Sequence, residues 1–200
     1  MKVSVLAFDL SDNATGRADL LARLLAPRYE VEVVGPQFGP ELWRPVQGGA
    51  VAHRAVRAGR YPGVAARLSA LLRLVDGDVI LASKPRPTSY GLGLLARARR
   101  RRPLVLDIDD WELGFFYRSG AWGRVGRALN LADPNGLTWT WLMERLVPRA
   151  EALTVASRSW GKSTVASHFC YLYCLLNPDR HILICAATFR SSRQIVERVN

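Results

Sequence analysis

Short apolar runs alternate with amphipathic segments along the whole 200-residue chain, and this alternation restricts the fold more than any other feature. Residues 2–9 (KVSVLAFD), 30–35 (EVEVVG), 79–83 (VILAS), 103–107 (PLVLD), 152–156 (ALTVA) and 181–187 (HILICAA) are rich in Val, Ile and Leu and read as buried strands. A weaker strand is expected at 50–56. Between them, Leu20, Leu21, Leu24 and Leu25 repeat at helical spacing within 17–27. Further helices are expected over 64–75, 88–100 with Thr88 as cap, 137–147 before Pro148, 161–176 and 190–199. Gly35-Pro36 is expected to stop the second strand, and 109–136 reads as irregular and aromatic. Strands of this length separated by helices form βαβ units. The expected fold class is therefore α/β, with a doubly wound, mostly parallel sheet and helices on both faces.

Composition removes several other classes. An apolar fraction of 49% with 22% charge is ordinary for a chain that buries a core, which excludes intrinsic disorder. No apolar run approaches the ~18 residues of a membrane span, and no solenoid period recurs. In MKVSVLAFDLSD, Asp9 interrupts a short apolar stretch, unlike a secretion signal. Cys170, Cys174 and Cys185 are odd in number and make no CxxC pair, so a cytoplasmic protein without a metal site is expected. The net charge is +11, and arginine supplies all the cations except Lys2, Lys84 and Lys162. The run Arg97 to Arg102 complements a helix C-terminus, and its sharper reading is peripheral contact with anionic headgroups at the inner membrane face.

In parallel sheets ligands bind beyond the carboxyl ends of the strands, which selects four loops. The first, SDNATGRA, has one glycine and no GxGxxG, so a dinucleotide fingerprint is absent. Gly16 and the helix N-terminus can offer N–H groups to an anion or a hydroxyl; the plainer reading is a turn capped by Asp12 or Thr15. The second loop sets Lys84 and Arg86 among prolines, a rigid basic turn suited to a phosphate or a polyol. The third gathers Asp107, Asp109, Asp110 and Glu112 beside Trp111. Carboxylates accept hydroxyls or take a proton, and an indole face stacks on a sugar ring. The fourth, ASRSWGKS, follows a strand and opens a helix, the context of a phosphate-binding loop. Lys162 would then reach terminal phosphates and Ser163 would sit on Mg2+, although Ala156 stands where the first glycine belongs.

Two resemblances follow, and they cover different parts of the chain. MKVSVLAFDLSDNATGRADLLARLL, YEVEVVGPQFGPELWRPV, GDVILASKPRPTSYGLGLL, RPLVLDIDDWELGFF and ADPNGLTWTWLMERLVPRAEALTVASR resemble the N-terminal half of a GT-B glycosyltransferase of the group 1, or family 4, type. The resemblance spans residues 1–158 and implies a Rossmann-like acceptor domain. In such enzymes a sugar passes from a nucleotide-sugar to a glycan or lipid-linked acceptor, and no further cofactor is implied. It also implies that Asn13, Gly16, Arg17 and Lys84 line the acceptor cleft, where the carboxylate and indole chemistry of the third loop adds Trp111 and Glu112 as candidates. Asp109 and Asp110, the catalytic candidates, stand where many relatives carry a His-Asp pair; the histidine is absent here.

ASRSWGKSTVASHFCYLYCLLNPDRHILICAATFRSSRQIVERVN is similar instead to the start of a phage terminase ATPase. That family carries an arginine shortly before GK[ST], as Arg158 precedes Gly161, Lys162 and Ser163. This resemblance implies ATP, Mg2+ and DNA as partners. All three cysteines, with His168 and His181, lie after residue 159, so the expectation is a join near Ala156–Arg158, either a chimera or an assembly artefact, with domains 1–158 and 159–200. The reading implied for the whole is an acceptor-side domain that transfers no sugar alone, with a DNA-packaging fragment as its alternative.

Overall fold

The computed structural model describes residues 1–109, 112–117 and 121–155. The elements expected beyond 156 lie outside the described residues. Six strands form one sheet in the order β3-β2-β1-β4-β5-β6, every neighbouring pair parallel. The strands are β1 (Lys2–Leu6), β2 (Glu30–Gln37), β3 (Ala52–Arg57), β4 (Val79–Ser83), β5 (Leu104–Ile108) and β6 (Ala152–Val155). The helices are α1 (Ala14–Leu25), α2 (Gly63–Ala66), α3 (Leu68–Leu74), α4 (Leu92–Arg100), α5 (Glu112–Tyr117), α6 (Ala121–Leu129) and α7 (Leu137–Arg145). The doubly wound α/β expectation is met.

The apolar runs have no polar alternation because both sheet faces are covered. Neighbouring strand residues point to opposite faces. Leu6, Val34, Ile80, Leu104 and Leu106 enter one core with Leu71, Leu92 and Met143. Val5, Val33 and Leu81 enter the other, with Ala18, Leu21 and Ala22 of α1. Strand order reverses between β1 and β4, so the chain leaves these two strands in opposite directions and opens a crevice at their carboxyl ends.

Five expectations are corrected. β2 continues through Gly35-Pro36 to Gln37. Pro36 costs no ladder bond on the β1 side, because β1 ends at Leu6 and the Pro36 carbonyl accepts the Leu10 N–H at 2.8 Å. Gly35 is needed there, since a Cβ would lie 2.5 Å from the Ala7 carbonyl oxygen. The helix expected over 64–75 is divided at Arg67, whose N–H turns back to the Val64 carbonyl. Thr88 does not cap α4: a π-type turn at Pro87–Gly91 precedes the helix, and the Thr88 hydroxyl donates to the Phe8 carbonyl at 2.7 Å. The stretch 109–136 contains α5 and α6, and the α1 helix starts at Ala14 rather than Arg17.

At the sheet edge, His53 is buried with Nδ1 donating to the Val51 carbonyl at 3.0 Å. Its Nε2 stands 3.4 Å from Asp19 Oδ1. Burial pushes the His53 pKa below its ordinary value, against the opposing charge of Asp19. The folded state therefore resists protonation more than the unfolded chain. Stability is fully present above about pH 6.5 and falls as pH drops through the lowered folded value. Denaturation midpoints are expected to fall from pH 7 to pH 5, and less steeply in His53→Gln. Equal slopes for the two proteins would refute this origin.

Candidate functional site

The loop after β1 is built by short-range bonds. Asp12 Oδ1 accepts the Ala14 N–H at 2.8 Å, so Asp12 caps the start of α1. The Thr15 hydroxyl donates to the Asp9 carbonyl at 2.9 Å. Asp9 Oδ1 accepts from the Ser11 backbone at 2.8 Å and from its hydroxyl at 2.5 Å. Asn13 is exposed at the mouth of this loop. The Gly16 N–H is taken by the Asn13 carbonyl, and a Cβ at Gly16 would meet the Trp43 ring at 3.0 Å. Gly16 thus lets the helix pack on Trp43. Arg17 makes a bidentate pair with fully buried Asp107, both bonds at 2.8 Å, and ties α1 to the end of β5.

At the end of β4 the chain turns sharply. Lys84 has φ +71°, a left-handed conformation that costs a non-glycine residue energy. It is held there from several sides. The Lys84 N–H donates to the Asp107 carbonyl, while its own carbonyl accepts the Arg86 N–H and the Ser89 hydroxyl, all at 2.8 Å. The strain aims the ammonium at Glu112 Oε1, 2.8 Å away, and Asp109 Oδ1, 3.1 Å away. Burial alone would lower the Lys84 pKa, but Glu112 and then Asp109 outweigh it and raise the value. The second oxygen of Glu112 pairs with Arg86. Glu112 is only 2% exposed and is thus a buried anion between two cations. Arg86 continues to the Asn135 carbonyl and to Thr140 Oγ1, the latter at 2.7 Å.

This network stands behind a cleft of about 520 Å³ at the carboxyl ends of the strands. Its walls come from three loops: Phe8, Asp9 and Asp12 after β1, Phe38 and Gly39 after β2, and Gly59 and Arg60 after β3. Asp133, Pro134 and Asn135, between α6 and α7, close it. Arg86 carries the support to this wall, its guanidinium lying 5.5 Å from the Phe8 ring centroid. Thr88 adds bonds to the Phe8 carbonyl and, at 3.2 Å, to Asn135 Oδ1. Loss of hydration between the walls raises the Asp12 pKa, and Asp9 adds to the rise. The Ala14 N–H, Lys84 and Arg86 oppose it.

The cleft lies at the carboxyl end of the sheet, the end expected for a ligand, and of the expected site residues the structure describes, none lines it. Arg17, Lys84, Asp109 and Glu112 are brought together as two linked ion-pair systems, and none of them lines the cleft. Phe8, Asp9, Phe38, Arg60, Asp133 and Asn135 do line it and were not expected. The turn-forming run Asp133-Pro134-Asn135-Gly136 was the available signal, but its partner lies across the fold. Asp110, Trp111, Arg158, Gly161, Lys162 and Ser163 lie outside the described residues. The arginine run borders a groove of about 770 Å³ at the amino ends of β5 and β6, the opposite end from the cleft. There Arg97 pairs with Glu151 at 2.6 Å, and Arg102 donates to the Val75 and Gly77 carbonyls at 2.8 and 2.9 Å.

Among the described residues, no helix is long and apolar enough to cross a membrane, and no group of three or more His, Cys, Asp or Glu is arranged to hold a metal ion. A six-stranded, all-parallel, doubly wound sheet with flanking helices defines a Rossmann-like α/β domain. Comparison with protein families gives the narrower assignment. The model of the glycosyl transferase 4-like domain matches residues 14–169, and the chain belongs to that family. The matched stretch continues past β6 through Arg158, Gly161, Lys162 and Ser163. No curated protein matches the chain.

Proposed function

We propose that this domain holds the acceptor while a sugar is transferred to it from a nucleotide-sugar. The observation that carries the reading is the chemistry of the cleft. Asp9, Asp12 and Asp133 offer carboxylates to hydroxyls, and Phe8 and Phe38 offer ring surface to a sugar. Three carboxylates also disfavour a diphosphate, so the donor's phosphates are held by other residues. Asp12, with its proton affinity raised, is the carboxylate suited to take the proton of an attacking hydroxyl. Asp109 is paired with Lys84 at 3.1 Å, outside the cleft wall. The acceptor is a glycan or a lipid-linked glycan. Lipid contact through Arg97 to Arg102 would be made at the end of the sheet away from the cleft.

The 200-residue chain is expected to bind mono- or disaccharides weakly and to transfer none from a panel of nucleotide-sugars. Asp12→Asn with Asp133→Asn should weaken sugar binding roughly tenfold, the scale of hydrogen bonds to charged acceptors, at an unchanged denaturation midpoint. Equilibrium dialysis against a saccharide panel reads this. Binding that ignores both substitutions would refute the site, and turnover by the chain alone would refute the division of labour.

A further inference from the structure

A second cleft of about 540 Å³ adjoins the first and shares Phe38, Gly39 and Gly59 with it. Its chemistry is opposite. It is lined by Gln37, Pro40, Arg57, Ala58, Gly63, Ala66 and Arg67 besides the shared residues, and none of these is acidic. The first cleft carries three carboxylates. Arg60 stands on the rim of the acidic half. We propose that the acceptor bears an anionic group, phosphate or carboxylate, bound by Arg57 and Arg67 while its hydroxyls face Asp9, Asp12 and Asp133; this rests on the acceptor reading above.

The geometry of the shared wall supports it. Gly39 N–H donates to Ser11 Oγ at 2.7 Å, and Phe38 N–H approaches Asp9 Oδ1 at 3.4 Å. A Cβ at Gly39 would lie 2.8 Å from the Ser11 Cβ, so the wall is pressed directly against the β1 loop. Gln37 Nε2 braces it from below by donating to the Gly39 carbonyl at 3.1 Å. The separation of the acidic and basic halves is therefore fixed. Arg57 Nη2 donates to the Pro40 carbonyl at 2.9 Å, which places its guanidinium across the basic half from β3. Arg67 faces the same space from the end of α2. At Gly59 and Gly63 an added Cβ would meet nothing within 4 Å, so backbone lies bare on the floor and leaves room for a group. Planar guanidinium forks suit phosphate and carboxylate oxygens, and a fixed spacing admits hydroxyls and an anion on one ligand.

Calorimetric titration of the full chain at constant ionic strength tests this with glucose, glucose 6-phosphate, inorganic phosphate and UDP. Glucose 6-phosphate should bind roughly tenfold more tightly than glucose, on the scale of charge-assisted hydrogen bonds. Arg57→Gln with Arg67→Gln should remove that advantage and leave glucose unchanged; Arg57→Lys with Arg67→Lys should retain part of it and controls for folding. Phosphate binding that is lost in the double variant, even with no glucose bound, would uphold the anion half and refute the acidic half. Equal affinity for glucose and its phosphate, or phosphate binding unchanged in the double variant, would overturn the proposal. So would UDP binding tighter than glucose 6-phosphate and lost in the same variant, because the arginines would then serve the donor. Sedimentation with phosphatidylglycerol and phosphatidylcholine vesicles assigns the source. Preference for the anionic vesicles that the double variant loses places the anion on a lipid headgroup, and no preference places it on a soluble acceptor.

Discussion

Glu112→Ala is expected to destabilise the domain by about 3–5 kcal/mol, because it leaves two cations buried without their shared anion. Lys84 and Arg86 converge on opposite oxygens of one carboxylate, and water has little access to any of the three. Removing the anion also leaves Lys84 at φ +71° with less to hold it there. Arg86 would lose part of its anchoring to Asn135 and Phe8, so sugar binding should weaken beyond what unfolding explains. Urea denaturation followed by circular dichroism gives the first effect, and saccharide titration of the remaining folded fraction gives the second. A loss below about 1 kcal/mol, the scale of exposed pairs, would mean that water reaches the triad.

Asp107→Ala should cost a similar amount for a related reason. Its carboxylate is fully buried and takes both bonds from Arg17. Truncation leaves a guanidinium largely out of water, at about 3–5 kcal/mol. Arg17→Met combined with Asp107→Leu removes both charges and fills similar volume. That double variant is expected to regain most of the loss, since a buried pair is often replaceable by apolar side chains. A double variant no more stable than Asp107→Ala would show that the pair contributes attraction well beyond its desolvation cost. The two experiments separate a positioning role from a stability role, because neither Glu112 nor Asp107 lines the cleft.

The strands and the topology were legible because their signal is local and repeated. A run such as VILAS is apolar without alternation, and only a sheet covered on both faces buries it fully. The end of the sheet that carries the cleft was legible too, since parallel βαβ units leave their loops on one side. The acids of LDIDDWE were correctly singled out as more than surface filler, but their use was not legible. Asp107 is separated from Arg17 by 90 residues, and Glu112 from Arg86 by 26. Whether a carboxylate faces a ligand or a guanidinium depends on which partner the folded chain brings to it. Gly35-Pro36 misled for the same reason: as a dipeptide it ends strands, but here β1 ends first.

The sequence by itself determined the α/β class and the parallel sheet, because period and apolar content are properties of short segments. Tertiary structure alone decided which charges became internal braces and which became cleft walls. Asp133 and Asp9 are far apart in the chain and face one cleft only because the fold places the α6–α7 loop beside the β1 loop. Coulomb and hydrogen-bond energies depend on distance and hydration, and both are fixed only once the loops are packed.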